Sequence, residues 1–425
     1  MRDHPHTVDS TPGQVRFNAT VNILDGAFFG FALGFASFTT IIPLFVSQLT
    51  DSAILIGLAP AIHSIGWQLP QLFTANRVRR LSRYKPMVLA MTIHERLPFL
   101  GLMLLAWFLL GMDRTTALLL VFALLIWQGL GGGFTANVWQ SMIAKIIPVS
   151  WRGSFFGAQM AAVNLLMSGA AVGAGIILER FNYPLSFAIC FGLASVGMAI
   201  SFFFFSLTRE EEHPPRVASG TQAHLWDDVK RILSGDAVFR RFLAIRVIFQ
   251  LGIVAFSYYS VYAFNELGAS AIQVGWLTGV FIFGAVILNL LFGVLGDRRG
   301  HWMVLFLGTL AALFSVILAG FVTTIPVWFV IFVLAGIANV VAFTTTMVIS
   351  LGFGTPSDQA TYIGLSNTLL APATLISPFL AGWCIQTYGY MTMYRVSAGV
   401  FLIAAILSLS LLRSNKSLPI GKDLV

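Results

Sequence analysis

Six ionisable side chains lie inside long apolar runs of this sequence: Asp25, His63, His94, Glu95, Arg96 and Arg246. A charge at the middle of a bilayer costs about 2.5 kcal/mol or more, so each of these needs a partner or a task. Asp25 shares a helical face with Asn18 and Asn22. That stripe could accept a proton or hold a cation, or its carboxylate could pair with a nearby arginine. His63 is followed by Trp67 and Gln71 at i+4 and i+8, with Pro60 above it. Its imidazole could change charge near neutral pH, or simply donate a packing bond to a neighbouring helix. His94-Glu95-Arg96 is the most unusual run. Successive residues turn about 100° on a helix, so the three cannot share one cavity. They predict a buried network in which Arg96 pairs with Glu95 or reaches Asp25, and which could also relay protons. Pro98, one turn later, predicts a kink that frees a carbonyl for His94 or Arg96. Arg246 precedes Gln250 by one turn. It reads either as an anion contact or inner-gate residue, or as an arginine snorkelling to the boundary marked by Arg240 and Arg241.

Neutral polar residues widen the candidate set. Gln128, Asn137 and Gln140 fall on a fourth apolar span, Tyr258, Tyr259 and Tyr262 on a seventh, Asn339 and Thr344 to Thr346 on a tenth, and Asn367 on an eleventh. Amides and tyrosines suit a polar or amphipathic organic solute. They equally suit bonds between helices, worth about 0.6 kcal/mol each. Gly26, Gly30 and Gly34 repeat every four residues and predict a smooth ridge for close helix contact. Pro43, Pro372 and Pro378 predict kinks. There is no Walker sequence, no His/Cys cluster at metal spacing and no nucleophile elbow, so no catalytic residue, metal or cofactor is expected. Uphill work would then draw on an ion gradient, with H+ moving through Asp25 or Glu95.

The elements that must position these residues are apolar segments starting near Phe17, Ser52, Pro86, Thr115, Gly153, Pro184, Phe242, Ala271, His301, Pro326, Thr361 and Met391. Each is long enough for a hydrocarbon core of about 30 Å. They form two sets of six around a polar stretch, which gives a tail at 1–16, a bundle at 17–206, a linker at 207–241, a bundle at 242–412 and a tail at 413–425. Composition agrees, with 57% hydrophobic residues, 10% charged and a mean hydropathy of +0.84. The formal charge of +8 is not a nucleic-acid signal, because the bases concentrate in alternate loops. Arg77 to Lys85, Lys145 and Arg152, Arg209 to Arg241, Arg298 and Arg299, and Arg413 onward all fall on one side, which predicts cytoplasmic termini. Cys190 and Cys384 lie in opposite halves and predict no disulfide. The first segment carries Asp25 and runs past a cleavable signal's length. Within the linker, Glu210 to Glu212, Pro214-Pro215 and Ser219-Gly220 read as solvated chain, and Trp226–Leu233 as a short amphipathic helix on the membrane surface.

One loop carries a recognisable string, Gly293-Val-Leu-Gly296-Asp297-Arg298-Arg299-Gly300-His301. Its small residues would let two helices approach, and its acid suits a helix N-terminus. It resembles the signature of the major facilitator superfamily in its second half. The resemblance implies an all-α integral membrane protein, about twelve transmembrane helices in two pseudo-symmetric six-helix bundles. It also implies that Gly293, Gly296, Asp297, Arg298 and Gly300 latch the cytoplasmic side of an outward-open state. The first-half equivalent, residues 75–85, keeps the bases but lacks acid and glycine, so a latch there needs other partners. Gln128-Gly-Leu-Gly-Gly132 is similar to a motif of proton-coupled members, with Leu125 where arginine is expected. Gly169, Gly173 and Gly175 resemble the antiporter motif, with Ala174 in place of proline. The loops at 148–157 and 356–364 look like repeats, Arg152-Gly153 matching Gln359-Ala360. The resemblance implies a secondary active transporter of a small organic solute working by alternating access and coupled to protons. An uncoupled facilitator is the alternative, and a non-transporting membrane sensor or scaffold a more distant one. Expected partners are the solute and the lipid bilayer, with no nucleic acid. A monomer in a prokaryotic cytoplasmic (inner) membrane is expected.

Overall fold

The computed structural model describes residues 11–415 apart from 39, 51, 213–224, 270 and 356–357. Pro214-Pro215, Arg216, Ser219-Gly220, Lys416 and Lys422 therefore lie outside the described residues. Helix α1 (Pro12–Phe35) starts five residues earlier than the apolar run, because Thr11 caps it by accepting from the Gln14 amide at 3.4 Å and Pro12 suits a first turn. A short α2 (Ile41–Ser47) follows. The second span is broken: α3 (Ala53–Gln68) stops at Leu69-Pro70 and α4 (Gln71–Val78) resumes. Then come α5 (Lys85–Phe108), α6 (Arg114–Ile146), α7 (Arg152–Arg180) and α8 (Leu185–Ser206). The linker contributes α9 (Leu225–Gly235), slightly longer than expected and amphipathic, with Ile232 buried. In the second half α10 (Ala237–Ile253) passes through a 3-10 turn into α11 (Tyr259–Asn265), followed by α12 (Ala271–Arg299) and α13 (His301–Ala319). Helix α14 (Ile325–Val340) runs through a π turn into α15 (Thr346–Ser350), and α16 (Gln359–Thr368), α17 (Ala371–Tyr388) and α18 (Tyr390–Asn415) complete the chain.

Ten stretches of the described chain are long and apolar enough to cross a membrane. The other two rods are α1, diluted by Asn18, Asn22 and Asp25, and the interrupted pair α3 and α4. Twelve rods result, and the fold is all-α. In the first half α1 packs on α7 and α8, α5 on α6 and α8, and α3 on α6. In the second half α13 packs on α14 and α18, α10 on α17 and α18, and α12 on α14. The glycine ridge of α1 faces α7 as its spacing requires. A Cβ at Gly30 would lie 2.6 Å from the Val163 carbonyl oxygen, and one at Gly26 would lie 2.7 Å from the Gln159 side chain. The halves meet mainly along α7 against α12 and α4 against α16. Both seams lie at the end of the molecule that carries the basic loops. Helix α5 continues through Pro98, and neither His94 nor Arg96 takes a freed carbonyl in the bonds described for them.

Candidate functional site

The signature loop sits on the first seam. Asp297, in the last turn of α12, faces the N-terminus of α7. Its carboxylate accepts from the amides of Gly153 (2.8 Å) and Ser154 (2.6 Å) and from the Ser154 hydroxyl (2.6 Å). His301 approaches the same carboxylate at 3.3 Å. An anion there satisfies orphan amides and the positive end of the helix dipole together. The approach depends on glycine at Gly293 and Gly157, where a Cβ would run into the carbonyls of Gly153 and Asn289. At Gly296 a Cβ would strike the His301 ring, and Gly300 turns the chain with φ +93°. Arg298 points outward, exposed and without an ion pair among the described residues.

The two repeat loops converge on one atom. Arg152 is buried and donates to the carbonyls of Ala144 and Ile147, and across the seam to that of Leu351 at 3.1 Å. Gln359, its counterpart in the other half, donates to the same Leu351 oxygen at 2.8 Å. On the second seam, Asn367 donates to Gln71 (2.7 Å) and Gln140 (3.4 Å). Asn137 donates to the carbonyls of Gln71 (2.7 Å) and Ala360 (3.0 Å). The Thr368 hydroxyl bonds the Gln68 carbonyl (3.0 Å) and accepts from the Leu72 amide (3.2 Å). The break at Leu69-Pro70 makes the Gln68 and Leu69 carbonyls available, because the amides four residues on are engaged elsewhere, that of Leu72 with Thr368 and that of Phe73 with the Pro70 carbonyl. Arg246 turns inward rather than snorkelling. It donates to the Ser366 carbonyl (2.8 Å) and hydroxyl (3.0 Å) and to Asn367 Oδ1 (3.3 Å). By occupying that oxygen it orients the Asn367 amide towards Gln71. Gln250 and Asn339 are half-buried with no such role in the seam.

The buried charges of the first half sit elsewhere. Asp25 turns away from the seams: Oδ1 accepts from Arg96 Nη2 (3.0 Å) and the Ser201 hydroxyl (2.6 Å), and Ser201 also accepts from Arg96 (2.9 Å). Of the two arrangements expected for Arg96, the reach to Asp25 is the one present. Asn18 and Asn22 continue the stripe by closing the end of α8, through the Arg209 backbone (2.8 and 2.9 Å) and the Thr208 hydroxyl (3.0 Å). Glu95 points instead towards Trp67 and Gly132, and among the described residues its carboxylate accepts from the Thr92 hydroxyl at 3.5 Å. It is buried and has no cation within 4 Å among the described residues. His63 bonds Gln128 at 2.9 Å and stacks on Phe38 at 3.8 Å. His94 is exposed and accepts from Trp127 at 3.2 Å. The aromatic residues separate as well. Tyr262 is buried against Trp328 (5.2 Å), whereas Tyr258 is half-buried beside Tyr390.

The basic loop at 75–85 finds its partner in the linker. Buried Arg79 pairs with Asp228 on α9, Asp228 with Arg231 (3.1 Å), and Arg231 with Asp358 of the second half (3.0 Å). Burial alone pushes the Asp228 carboxyl up, but Arg231 and Arg79 together outweigh it and hold it below the usual carboxylate range. Neither Ser201 nor Asp228 was signalled by spacing, since their partners lie 176 and 149 residues away.

Comparison with known proteins places this geometry. Over 135 residues the chain is 27% identical to the human protein SVOPL, covering 31% of this chain and 27% of that one. Over 151 residues it is 25% identical to the uncharacterized MFS-type transporter MJ1560 of Methanocaldococcus jannaschii, covering 35% and 38%. The matches thus span well under half of these relatives' lengths. Among solved structures, a bacterial homologue of the iron transporter ferroportin in an outward-facing state aligns with TM-score 0.73 and 14% identity, over 93% of this chain and 99% of that one. The E. coli fucose:proton symporter FucP aligns with TM-score 0.73 and 15% identity over 92% and 98%, and the proton:xylose symporter XylE with 0.73 and 14% over 94% and 96%. At these identities the likeness is one of fold. The sequence profile of the Major Facilitator Superfamily matches residues 96–265 and 243–423, and the chain belongs to that family of transporters.

Proposed function

We propose that this protein carries a small organic solute across the membrane by alternating access, in the conformation closed at its basic end, and that protons couple the cycle through Glu95. One observation carries the reading. The halves are joined at the basic end by polar bonds that all cross between bundles: Asp297 to α7, Arg152 to Leu351, and Asn367 and Thr368 to the α3–α4 break. A closure of this kind belongs to one state of a two-state molecule. With bases retained on the cytoplasmic side, the closed end is cytoplasmic and the state faces outward.

The choice between the two acids follows from their partners. Asp25 is held in an ion pair, and neutralising it would leave Arg96 buried with no counter-charge. Glu95 breaks no ion pair when it gains or loses a proton, and its neighbour Trp67 belongs to α3, whose Gln68 carbonyl takes part in the seam. The test uses proteoliposomes with an internal pH dye, challenged with sugars, organic acids, amino acids and organic cations. The expected result is an internal pH change that depends on one solute class and disappears in Glu95→Gln while solute exchange persists. Solute flux with no pH change in the parent protein would point instead to a facilitator and leave Glu95 a structural group.

A further inference from the structure

Away from both seams, a cavity of about 550 Å³ opens at the basic end beside α1, α5 and α8. Arg83, Lys85 and Arg209 line it together with an apolar wall of Pro86, Leu89 and Leu207. Glu210 and Glu211 line it as well, and these acids and the adjacent Glu212 are engaged. Glu210 accepts from the amides of Tyr84 (2.9 Å) and Lys85 (2.7 Å) and from Lys145 (2.8 Å), Glu211 accepts from Gln14 (3.3 Å), and Glu212 pairs with Arg83 (3.2 Å). Lys85 and Arg209 have no ion-pair partner within 4 Å among the described residues. The Arg209 guanidinium lies over the Phe17 ring at 4.4 Å, a cation–π contact that does not neutralise its charge.

Above the apolar wall, Ile93 and Leu97 on α5 and Phe203 on α8 are exposed. The surface is thus apolar along the spans, and where they leave the hydrocarbon layer it presents two bases outside any ion pair, Lys85 and Arg209, beside acids that are already engaged. A ligand matching both parts has a phosphate attached to acyl chains. We propose that the cavity holds the headgroup of an anionic phospholipid, its phosphate on Lys85 and Arg209 and its chains along α5 and α8. Anionic lipid is attracted to juxtamembrane bases of this kind, and the bound lipid would brace the helix ends that Asn18 and Asn22 join.

Purified protein in uncharged detergent is titrated with phosphatidylglycerol, phosphatidylcholine or inorganic phosphate, and bound lipid is counted by native mass spectrometry. Phosphatidylglycerol should bind in preference to phosphatidylcholine, and the Lys85→Ala/Arg209→Ala variant should lose roughly 25-fold in apparent affinity, about five-fold for each base. Arg413→Ala, a base on the same side but at the end of α18, should leave binding unchanged. Where the double variant does not fold, Arg209→Gln is expected to lose about five-fold alone. Equal binding of the two lipids, or unchanged binding in the base variants, overturns the assignment. Displacement of the lipid by inorganic phosphate at matching concentration would show a site for the free anion and overturn it likewise.

Discussion

Asp297→Asn should open the basic end. The carboxylate holds two backbone amides and a hydroxyl at 2.6–2.8 Å, and its side chain is only 7% exposed. The amide replacement keeps one acceptor oxygen, turns an NH2 group towards donors that need an acceptor, and removes the negative charge from the α7 terminus. A charge-assisted bond is worth about 1.5–3 kcal/mol against about 1 for a neutral one, and the helix-end term adds up to about 2 kcal/mol. Allowing for solvation of the freed groups in the open state, a net loss of about 3 kcal/mol for the closed state is reasonable. That corresponds to a shift on the order of 100-fold in the closed-to-open ratio. Spin labels at Arg77→Cys and Arg413→Cys, in a background without Cys190 and Cys384, would report the width of the basic end by pulsed electron resonance. Placing Thr368→Ala in the background removes the hydroxyl's bonds to the Gln68 carbonyl and the Leu72 amide from the seam and brings both states into the measurable range. If Asp297→Asn and Asp297→Ala both leave the distance distribution of that background unmoved, the cap contributes nothing to closure and the reasoning fails.

Other perturbations test other parts of the frame. Asp25→Asn removes one member of a buried ion pair and should destabilise the protein by about 3–5 kcal/mol, read as a lower melting midpoint in detergent; an unchanged midpoint would mean that Arg96 finds solvent. Gly293→Ala puts a methyl group against the Gly153 carbonyl, which should cost the closed state about 1–3 kcal/mol and widen the same spin-label distance. Docking of α9 should depend on pH. Asp228 is held below its ordinary range, so its stabilising share is present above the unfolded pKa near 4 and is lost as pH falls through the lower folded value. An environment-sensitive dye at Ser234→Cys should therefore report a docked helix at neutral pH and release only in acid, whereas in Asp228→Asn release should already be visible at neutral pH.

Which parts of this were legible in the sequence follows from what periodicity encodes. Apolar runs fix the number of spans directly, because a bilayer imposes length, and the glycine ridge of α1 predicted its own contact. The acid of the signature loop also lay where a helix N-terminus was expected. Helix rotation is not encoded in this way. Asp25 sits on a polar stripe with Asn18 and Asn22, but nothing in the spacing tells whether that stripe faces a cavity or α5 and α8. Ser201, the residue that decides it, is one serine in an apolar run. His63, Trp67 and Gln71 read as one face, but Pro70 ends the helix between them, so Gln71 belongs to the seam while His63 packs on Phe38. Arg79 read as one base among many because its acid lies in a distant linker.

The chemistry of the closed end suits a cycle. An apolar closure of similar extent would expose its surface to water on each opening, at about 25 cal/mol per Å². A closure built on buried ion pairs would strand charges as it parted. Here most of the crossing contacts join an amide or hydroxyl to another amide or to a backbone carbonyl, at Asn137, Gln140, Asn367 and Thr368. Such bonds contribute about 0.5–1.5 kcal/mol each, because water replaces them well when they part. Several of them sum to a few kcal/mol, enough to favour one state and small enough for the binding of a solute to reverse it. The charged residues at the closed end each keep a partner within their own half, Asp297 with His301, Arg152 with the Ala144 and Ile147 carbonyls and Arg246 with Ser366, so opening need not leave them bare. On this account the neutral bonds set how readily the end opens, and the charges set the geometry to which it returns.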